Sequence, residues 1–149
     1  MTRTLTLWLI LTSATMFSAN LWAADEINTT FFGNLAIEGY DPVAYFTENK
    51  AVAGSKDHEF VWKDAKWRFS SAENLSLFKA DPQKYAPQYG GYCAYAVAQN
   101  DTAGIEPDQF SIVDGKLYLN YNAKIQARWL EQRDSYIEAA DKNWPDVLR

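Results

Sequence analysis

The sequence predicts an α+β fold, with two β-hairpins packed with several short helices in a single compact domain. Two pairs of short segments alternate polar and large apolar residues, and a turn-forming sequence joins each pair, which predicts the hairpins. Residues that favour helix N-termini precede several segments with apolar residues at helical spacing, which predicts the helices. No repeat, low-complexity tract or Pro/Gly/Ser-rich linker divides residues 24–149, so we expect one domain.

The first predicted hairpin consists of segments 59–62 and 66–69, with a Lys-Asp-Ala turn between them. Its candidates for buried positions are Phe60, Trp62, Trp67 and Phe69. The polar residues 47–57 before it predict a loop. Further upstream, Asp41-Pro42 predicts the start of a short helix.

Two short helical segments are predicted after this hairpin. Ser70-Ser-Ala-Glu73 has the pattern of a capping box and predicts a helix with Leu75 and Phe78 on its inner face. Asp81-Pro82 predicts the end of that helix and a further short turn that reaches Tyr85. Residues 87–91 break regular structure.

The second half of the domain begins with segment 92–98, for which periodicity does not decide between helix and strand. Asp114-Gly115, between segments 111–113 and 116–121, is a strong hairpin signal. Asn122 then predicts the N-cap of a helix. The inward residues of this helix are predicted to be Ile125, Trp129 and Leu130. A last helix is predicted to place Tyr136, Ile137 and Ala140 inward and to end at Asn143-Trp144-Pro145.

The N-terminus has the pattern of a secretory signal peptide. Arg3 precedes an apolar run from Leu5 to Phe17, and small residues follow before the first acids. The run is about 13 residues long, shorter than the ~20 that a helix needs to cross a bilayer. We therefore predict a signal peptide at residues 1–23, an exported domain at residues 24–149 and a periplasmic location. Cleavage after Ala24 and retention as a membrane anchor are the alternatives.

The composition limits the kinds of partner that the chain is expected to bind. The chain has a net charge of −5, which becomes −6 once Arg3 is removed, and no basic block. Nucleic acid is therefore not an expected partner, because phosphate binding needs clustered Lys and Arg. The full chain has six Trp, nine Tyr and eight Phe, and most of them lie in residues 24–149, where core packing is their commonest use. Residues 25–38 are predicted to be a surface segment anchored by Phe31 and Phe32.

Several motifs resemble the YHS-domain family, and together they cover nearly all of residues 24–149. The segments His58 to Trp62, Trp67 to Phe78 and Pro82 to Tyr85 have the family's hairpin, capped helix and Phe-x-x-x-Pro-x-x-Tyr spacing. Asp41-Pro42-Val43 is similar to the family's opening Asp-Pro-Val. Four further segments resemble an exported single-domain branch: 39–46, 89–94, 114–121 and 140–145.

The resemblance implies a metal-binding domain, although the usual YHS cysteines are missing. Those three positions are Ala44, Ser70 and Asn74 in this sequence. The family's histidine position corresponds to His58, while Cys93 lies in the extension of the exported branch. The family's metal site therefore does not carry over unchanged.

Cys93 and His58 are the candidate metal ligands, and they are the only cysteine and histidine of the chain. Thiolate and imidazole suit Cu(I) or Zn(II). A structural zinc site normally takes four N or S ligands, so copper is the favoured metal. The site would be two-coordinate, completed by an oxygen or shared between chains. A buried inert thiol and a packed histidine are the alternatives, and the oligomeric state stays open.

We accordingly predict a non-catalytic, exported YHS-like domain that binds a transition metal, with copper as the expected cofactor. No P-loop, dinucleotide, nucleophile-elbow or His-Glu-x-x-His signature occurs, so no enzyme activity is expected. The alternative is a metal-free module that binds a small ligand or a protein through an aromatic pocket. The candidate pocket residues are Tyr40, Asp41, Tyr45, Tyr89, Gly90, Gly91, Tyr92 and Tyr95.

Overall fold

The computed structural model describes residues 23–149 and contains two antiparallel hairpins surrounded by short helices. The hairpins form separate two-stranded sheets, β1-β2 and β3-β4, and the predicted α+β class is confirmed. Apart from its last residue, Ala23, the predicted signal peptide lies outside the described residues. Between residues 23 and 149, no helix has both the length and the apolar character needed to cross a bilayer.

The regular elements follow one another in short runs. In chain order they are α1 Ala44–Thr47, β1 Ser55–Trp62, β2 Ala65–Phe69, α2 Ala72–Ala80, α3 Pro82–Tyr85, α4 Ala94–Ala98, β3 Phe110–Val113, β4 Lys116–Leu119, α5 Ala123–Glu131 and α6 Arg133–Asn143. Short 3₁₀ turns lie at Ile37–Gly39, Gln88–Gly91 and Asp146–Leu148.

The first hairpin is confirmed, with a tighter turn than predicted. Lys63 and Asp64 form a two-residue loop with φ of 49° and 58°, and such left-handed pairs match the twist of the flanking strands. Ala65, predicted in the turn, pairs with Trp62 instead. The strand β1 also begins inside the predicted loop, because a bulge brings Ser55 opposite Phe69.

Aromatic rings join this hairpin to α2. Trp67 and Phe69 are fully buried, and their ring centroids lie 5.0 and 5.1 Å from that of Phe78. Phe60 and Trp62 are half-buried at the edge of the same core. We call this core the hairpin cluster; it also contains Val43, Tyr45, Cys93, Leu117 and Leu119.

The start of α2 differs from the prediction by one residue. Ser71 is the N-cap, and its hydroxyl accepts a hydrogen bond from Asn74 N at 3.1 Å. The predicted capping box from Ser70 to Glu73 is therefore wrong in its register. The hydroxyl of Ser70 instead donates to the Asp41 carboxylate, which lies 29 residues earlier in the chain.

Other predicted helix starts are confirmed. Asp81 accepts a hydrogen bond from Lys84 N at 3.3 Å at the start of α3. Asn122 accepts one from Ile125 N at 2.9 Å at the start of α5. These caps satisfy backbone N–H groups that the first helical turn leaves without partners. The ambiguous segment 92–98 contains the helix α4.

The second hairpin is also confirmed. Val113 pairs with Lys116 across the loop formed by Asp114 and Gly115, whose φ values are 51° and 73°. Its strand β4 is almost completely buried, with Leu117, Tyr118 and Leu119 inside. The hairpin thus reaches both halves of the core.

A second core, the C-terminal cluster, is built on α4, α5 and α6. Its buried residues are Tyr89, Tyr92, Ala94, Val97, Tyr118, Trp129 and Ala140. The predictions for Trp129 and Ala140 are confirmed, but Leu130 is 51% exposed, so its inward prediction is wrong. Successive helical residues are about 100° apart, so the face that buries Trp129 turns Leu130 outward.

The N-terminal segment is held by its backbone. Ala24 N donates to Leu148 O at 2.9 Å and Asn28 N donates to Gly90 O at 2.8 Å. The prediction that Phe31 and Phe32 anchor this segment is wrong, because their side chains are 94% and 84% exposed. Backbone pairing has replaced the expected aromatic burial.

Candidate functional site

A cleft of about 440 Å³ is bordered by the first hairpin, the Gln88–Gly91 turn and α6. Its aromatic wall consists of Trp62, Tyr89 and Trp144. Six polar side chains form much of the remaining lining: Glu26, Lys63, Gln83, Gln88, Lys116 and Asp141. Ile27, Ala86, Pro87 and Gly90 also line the cleft. Ligand sites ordinarily combine aromatic surface with polar groups that fix the ligand's orientation, and this cleft is richer in polar groups than most.

Tyr89 joins the aromatic wall to the polar groups. Its hydroxyl donates a 2.8 Å hydrogen bond to Asp141 Oδ1. Burial, together with this hydrogen bond and the negative charge of Asp141, raises the pKa of Tyr89 well above its ordinary value. Tyr89 is therefore a neutral phenol at physiological pH, and its bond orients the Asp141 carboxylate at the rim of the cleft.

The backbone that carries Tyr89 is fixed by a close crossing of the chain. Tyr89 and Gly90 have φ of 56° and 61°, a backbone conformation that residues other than glycine rarely adopt. A Cβ on Gly90 would lie 1.8 Å from Glu26 O, so position 90 must be glycine for the N-terminal segment to pass this close. The crossing therefore holds the turn against the N-terminal segment.

The charges around the cleft balance. Lys63 forms an ion pair with Glu26, and its Nζ lies 5.0 Å from the centroid of the Trp62 ring. Lys116 and Asp141 add one charge of each sign. The lining therefore offers both donors and acceptors without a net charge that would select a strongly ionic ligand.

The eight predicted pocket residues do not all lie at this cleft. Tyr89 and Gly90 line it, whereas Gly91 and Tyr92 are buried behind it against the N-terminal segment. The hydroxyl of Tyr92 donates to Asp25 O at 2.8 Å. The side chain of Asn28 donates to Gly91 O at 3.2 Å.

The other predicted pocket residues pack elsewhere. Tyr40 and Tyr45 belong to the hairpin cluster, where the Tyr45 hydroxyl donates to Pro107 O at 2.9 Å. Tyr95 touches both cores, and its ring centroid lies 5.1 Å from that of Tyr136. The eight residues thus divide between two parts of the fold.

Asp41 is fully buried and accepts several hydrogen bonds. Its Oδ1 accepts from Val43 N at 2.9 Å and from Ala44 N at 3.4 Å, which caps α1. Its Oδ2 accepts from Ser70 N at 2.8 Å, from Ser70 Oγ at 2.7 Å and from Asn74 Nδ2 at 2.7 Å. Both oxygens are therefore occupied by protein donors.

These contacts bring together the three positions that the resemblance to the YHS family would equate with its usual cysteines. Ala44, Ser70 and Asn74 all donate to the Asp41 carboxylate, although they come from α1, the end of β2 and α2. An alanine, a hydroxyl and an amide offer no soft ligand. This part of the fold is a hydrogen-bonded junction between helix and hairpin.

Cys93, the first predicted metal ligand, immediately precedes α4 and is 1% exposed. Its Sγ donates to Asn120 Oδ1 over 3.6 Å, and Asn120 Nδ2 in turn donates to Gln126 Oε1 at 2.6 Å. Burial raises the pKa of the Cys93 thiol above its ordinary value, partly offset by hydrogen bonds to backbone groups. The thiol is thus protonated and enclosed at neutral pH.

His58, the second predicted ligand, lies half-buried on β1, within the bulge that follows Ser55. Its strand packs on β2 and α2, and the helix α4 that follows Cys93 packs on α5 and α6, although the Cys93 side chain itself lies in the hairpin cluster. Across residues 23–149, no group of three or more His, Cys, Asp or Glu side chains is arranged to hold a metal ion. A copper site formed by Cys93 and His58 stays a prediction.

Sequence reasoning did not assign Trp62, Trp144 and Asp141 to a site. It gave Trp62 to the core and Trp144 to a helix end. The available signal was Asp141 and Trp144, three residues apart at the end of the last predicted helix. That spacing places a carboxylate and an indole close together.

Comparison of the chain with protein-family models, curated proteins and solved structures gave no match. The resemblance to the YHS family therefore continues to rest on the motifs described above.

Proposed function

We propose that this chain is a non-catalytic binding domain that holds a small polar ligand in the cleft bordered by Trp62, Tyr89 and Trp144. The observation that carries the proposal is the meeting of this aromatic wall with the oriented Asp141 carboxylate. The volume of about 440 Å³ falls within the range of about 300–1,000 Å³ that is usual for small-molecule sites. An exported location and the YHS resemblance are compatible with this role.

The lining indicates the class of ligand. Indole and phenol rings favour contact with a ring-shaped apolar face. Two amide side chains, Gln83 and Gln88, both donate and accept hydrogen bonds, and the charged residues balance one another. A neutral or zwitterionic ring compound with several hydroxyl, amide or amine groups fits this chemistry best.

The test uses ligand-observed NMR with neutral saccharides and aromatic amino acids as probes. The wild-type chain is compared with Asp141→Asn, which keeps the shape of the side chain but removes its charge. Asp134→Asn is the matched control, because it makes the same change at an exposed position of α6 that does not line the cleft.

We expect saturable binding of at least one probe by the wild type and by Asp134→Asn. Asp141→Asn should weaken that binding about tenfold, which corresponds to about 1.4 kcal/mol for one charge-assisted hydrogen bond. Binding that is equal in all three proteins would place the ligand elsewhere. A complete lack of binding across both classes of probe would refute the proposed ligand chemistry.

A further inference from the structure

Two phenylalanine rings project from the surface at a turn within the N-terminal segment. Phe31 is 94% exposed and Phe32 is 84% exposed, far more than the other exposed large hydrophobic side chains of the described residues. Their ring centroids lie 4.9 Å apart with an interplanar angle of 89°, so the rings form one edge-to-face pair. We call Thr29 to Leu35 the aromatic tip.

The turn of the aromatic tip is built without help from these rings. Thr29 bridges to Ala36, and Thr30 N donates to Leu35 O at 3.0 Å. The Thr30 hydroxyl donates to Phe32 O at 2.7 Å and accepts from Leu35 N at 3.1 Å. Since exposed turns ordinarily carry Gly, Asn, Asp, Ser or Pro, the fold itself gives no reason for two phenylalanines at this point.

The base of the aromatic tip is fixed to the first hairpin. Asn34 Nδ2 donates to Asp64 O at 2.5 Å, and Lys66 N donates to Asn34 O at 2.9 Å. The rings are therefore presented by a turn that is tied to the hairpin. Preorganisation of this kind lowers the entropic cost of inserting the rings into another phase.

The charge around the rings and their exposed apolar area together indicate which kind of surface they bind. Residues 27–37 contain no charged side chain, and at the base Asp64 and Lys66 have opposite signs. The two rings expose roughly 300–450 Å² of apolar surface, whereas a stable protein interface needs about 800 Å² from each partner. A small, convex and uncharged apolar projection suits the interfacial region of a bilayer better than the face of a folded protein.

We propose that the aromatic tip inserts into the surface of a zwitterionic phospholipid bilayer and docks the domain there. Because the whole chain carries a net charge of −5, anionic lipid should repel it and weaken this binding. The proposal is independent of the cleft, since no residue of the tip lines it. It also requires no membrane-spanning helix.

The experiment measures partition of the protein onto vesicles by sedimentation. Protein recovered from cells that express the full chain is added to vesicles of phosphatidylcholine, or of phosphatidylcholine mixed with phosphatidylglycerol. The test variant is Phe31→Ser with Phe32→Ser. The control is Tyr121→Ser with Leu130→Ser, which replaces two side chains that are 52% and 51% exposed elsewhere on the surface. Intact mass confirms that all proteins share one N-terminus.

We expect wild type and control to bind phosphatidylcholine vesicles equally and the Phe31/Phe32 variant to bind at least tenfold more weakly. Phosphatidylglycerol should reduce wild-type binding. Thermal unfolding of the test variant should be unchanged, which separates loss of insertion from loss of fold. Equal partition by wild type and test variant would overturn the proposal. Dimers that sedimentation velocity detects without lipid, and that the test variant does not form, would overturn it as well. They would show that the rings bind a second copy of the chain.

Discussion

Asp41 and Asp141 are both hydrogen-bonded carboxylates, yet the fold uses them in opposite ways. Asp41 is fully buried, and its oxygens accept from two backbone N–H groups next to it and from Ser70 and Asn74. Asp141 is an exposed residue of α6 and accepts from one phenol, that of Tyr89, at the edge of a cleft. One carboxylate is enclosed by protein, and the other is open to solvent.

The difference shows what makes a carboxylate available for binding. A buried carboxylate needs several donors to offset the loss of water, and those donors leave no position for a ligand. An exposed carboxylate with one oriented oxygen keeps free acceptor positions. By this criterion Asp41 is structural and Asp141 belongs to the candidate site.

The largest expected effect comes from removing the buried carboxylate. Asp41→Ala should lower the free energy of unfolding by about 3 kcal/mol or more, because it removes the cap of α1 and leaves Ser70 and Asn74 without their acceptor. Asp141→Ala should cost less than about 1 kcal/mol, since water replaces it as acceptor for Tyr89. Urea denaturation measures the free energy of unfolding of both variants. Equal losses would contradict the distinction between a structural Asp41 and an open Asp141.

The thiol of Cys93 belongs with Asp41 on the buried side of this comparison. Because burial encloses it and raises its pKa, iodoacetamide at pH 8 should alkylate it at least about 100-fold more slowly in the folded protein than in urea. Mass spectrometry follows the rate. Rapid alkylation of folded protein would show that Cys93 is reachable, contrary to its place in the core.

An anaerobic Cu(I) titration of wild type against Cys93→Ser tests the predicted metal site directly. If Cys93 binds copper, the wild type should take up Cu(I) and the variant should lose that uptake. Equal, weak uptake by both would refute the copper hypothesis.

A smaller effect is expected at the open carboxylate. At pH 8, Tyr89→Phe should lower the free energy of unfolding by about 0.5–1 kcal/mol through loss of the hydrogen bond to Asp141. The pKa of Tyr89 is raised in the folded protein, so its phenol stabilises the fold below the unfolded pKa of about 10 and loses that contribution as pH rises further. Urea denaturation at pH 8 and 11 should therefore show the gap between wild type and variant closing. A gap that widens would contradict the raised pKa.

The sequence by itself determined the local elements. Asp114-Gly115 supplies the left-handed backbone that a two-residue hairpin loop needs. Asn122 and Asp81 cap the helices that follow them, because a side-chain oxygen satisfies N–H groups within three residues. Each of these depends on chemistry within a few positions of the chain, and a single sequence contains that chemistry.

The tertiary structure alone decided which polar and aromatic residues meet. Ser70 does not cap α2, because its hydroxyl donates to Asp41, 29 residues earlier in the chain. The side chain of Asn74 donates to the same carboxylate from 33 residues away. Tyr89 met Asp141 across 52 residues. Phe31 and Phe32 stayed outside because backbone pairing anchors their segment. Such contacts depend on how distant elements pack, and local patterns hold no information about distances between segments far apart in the chain.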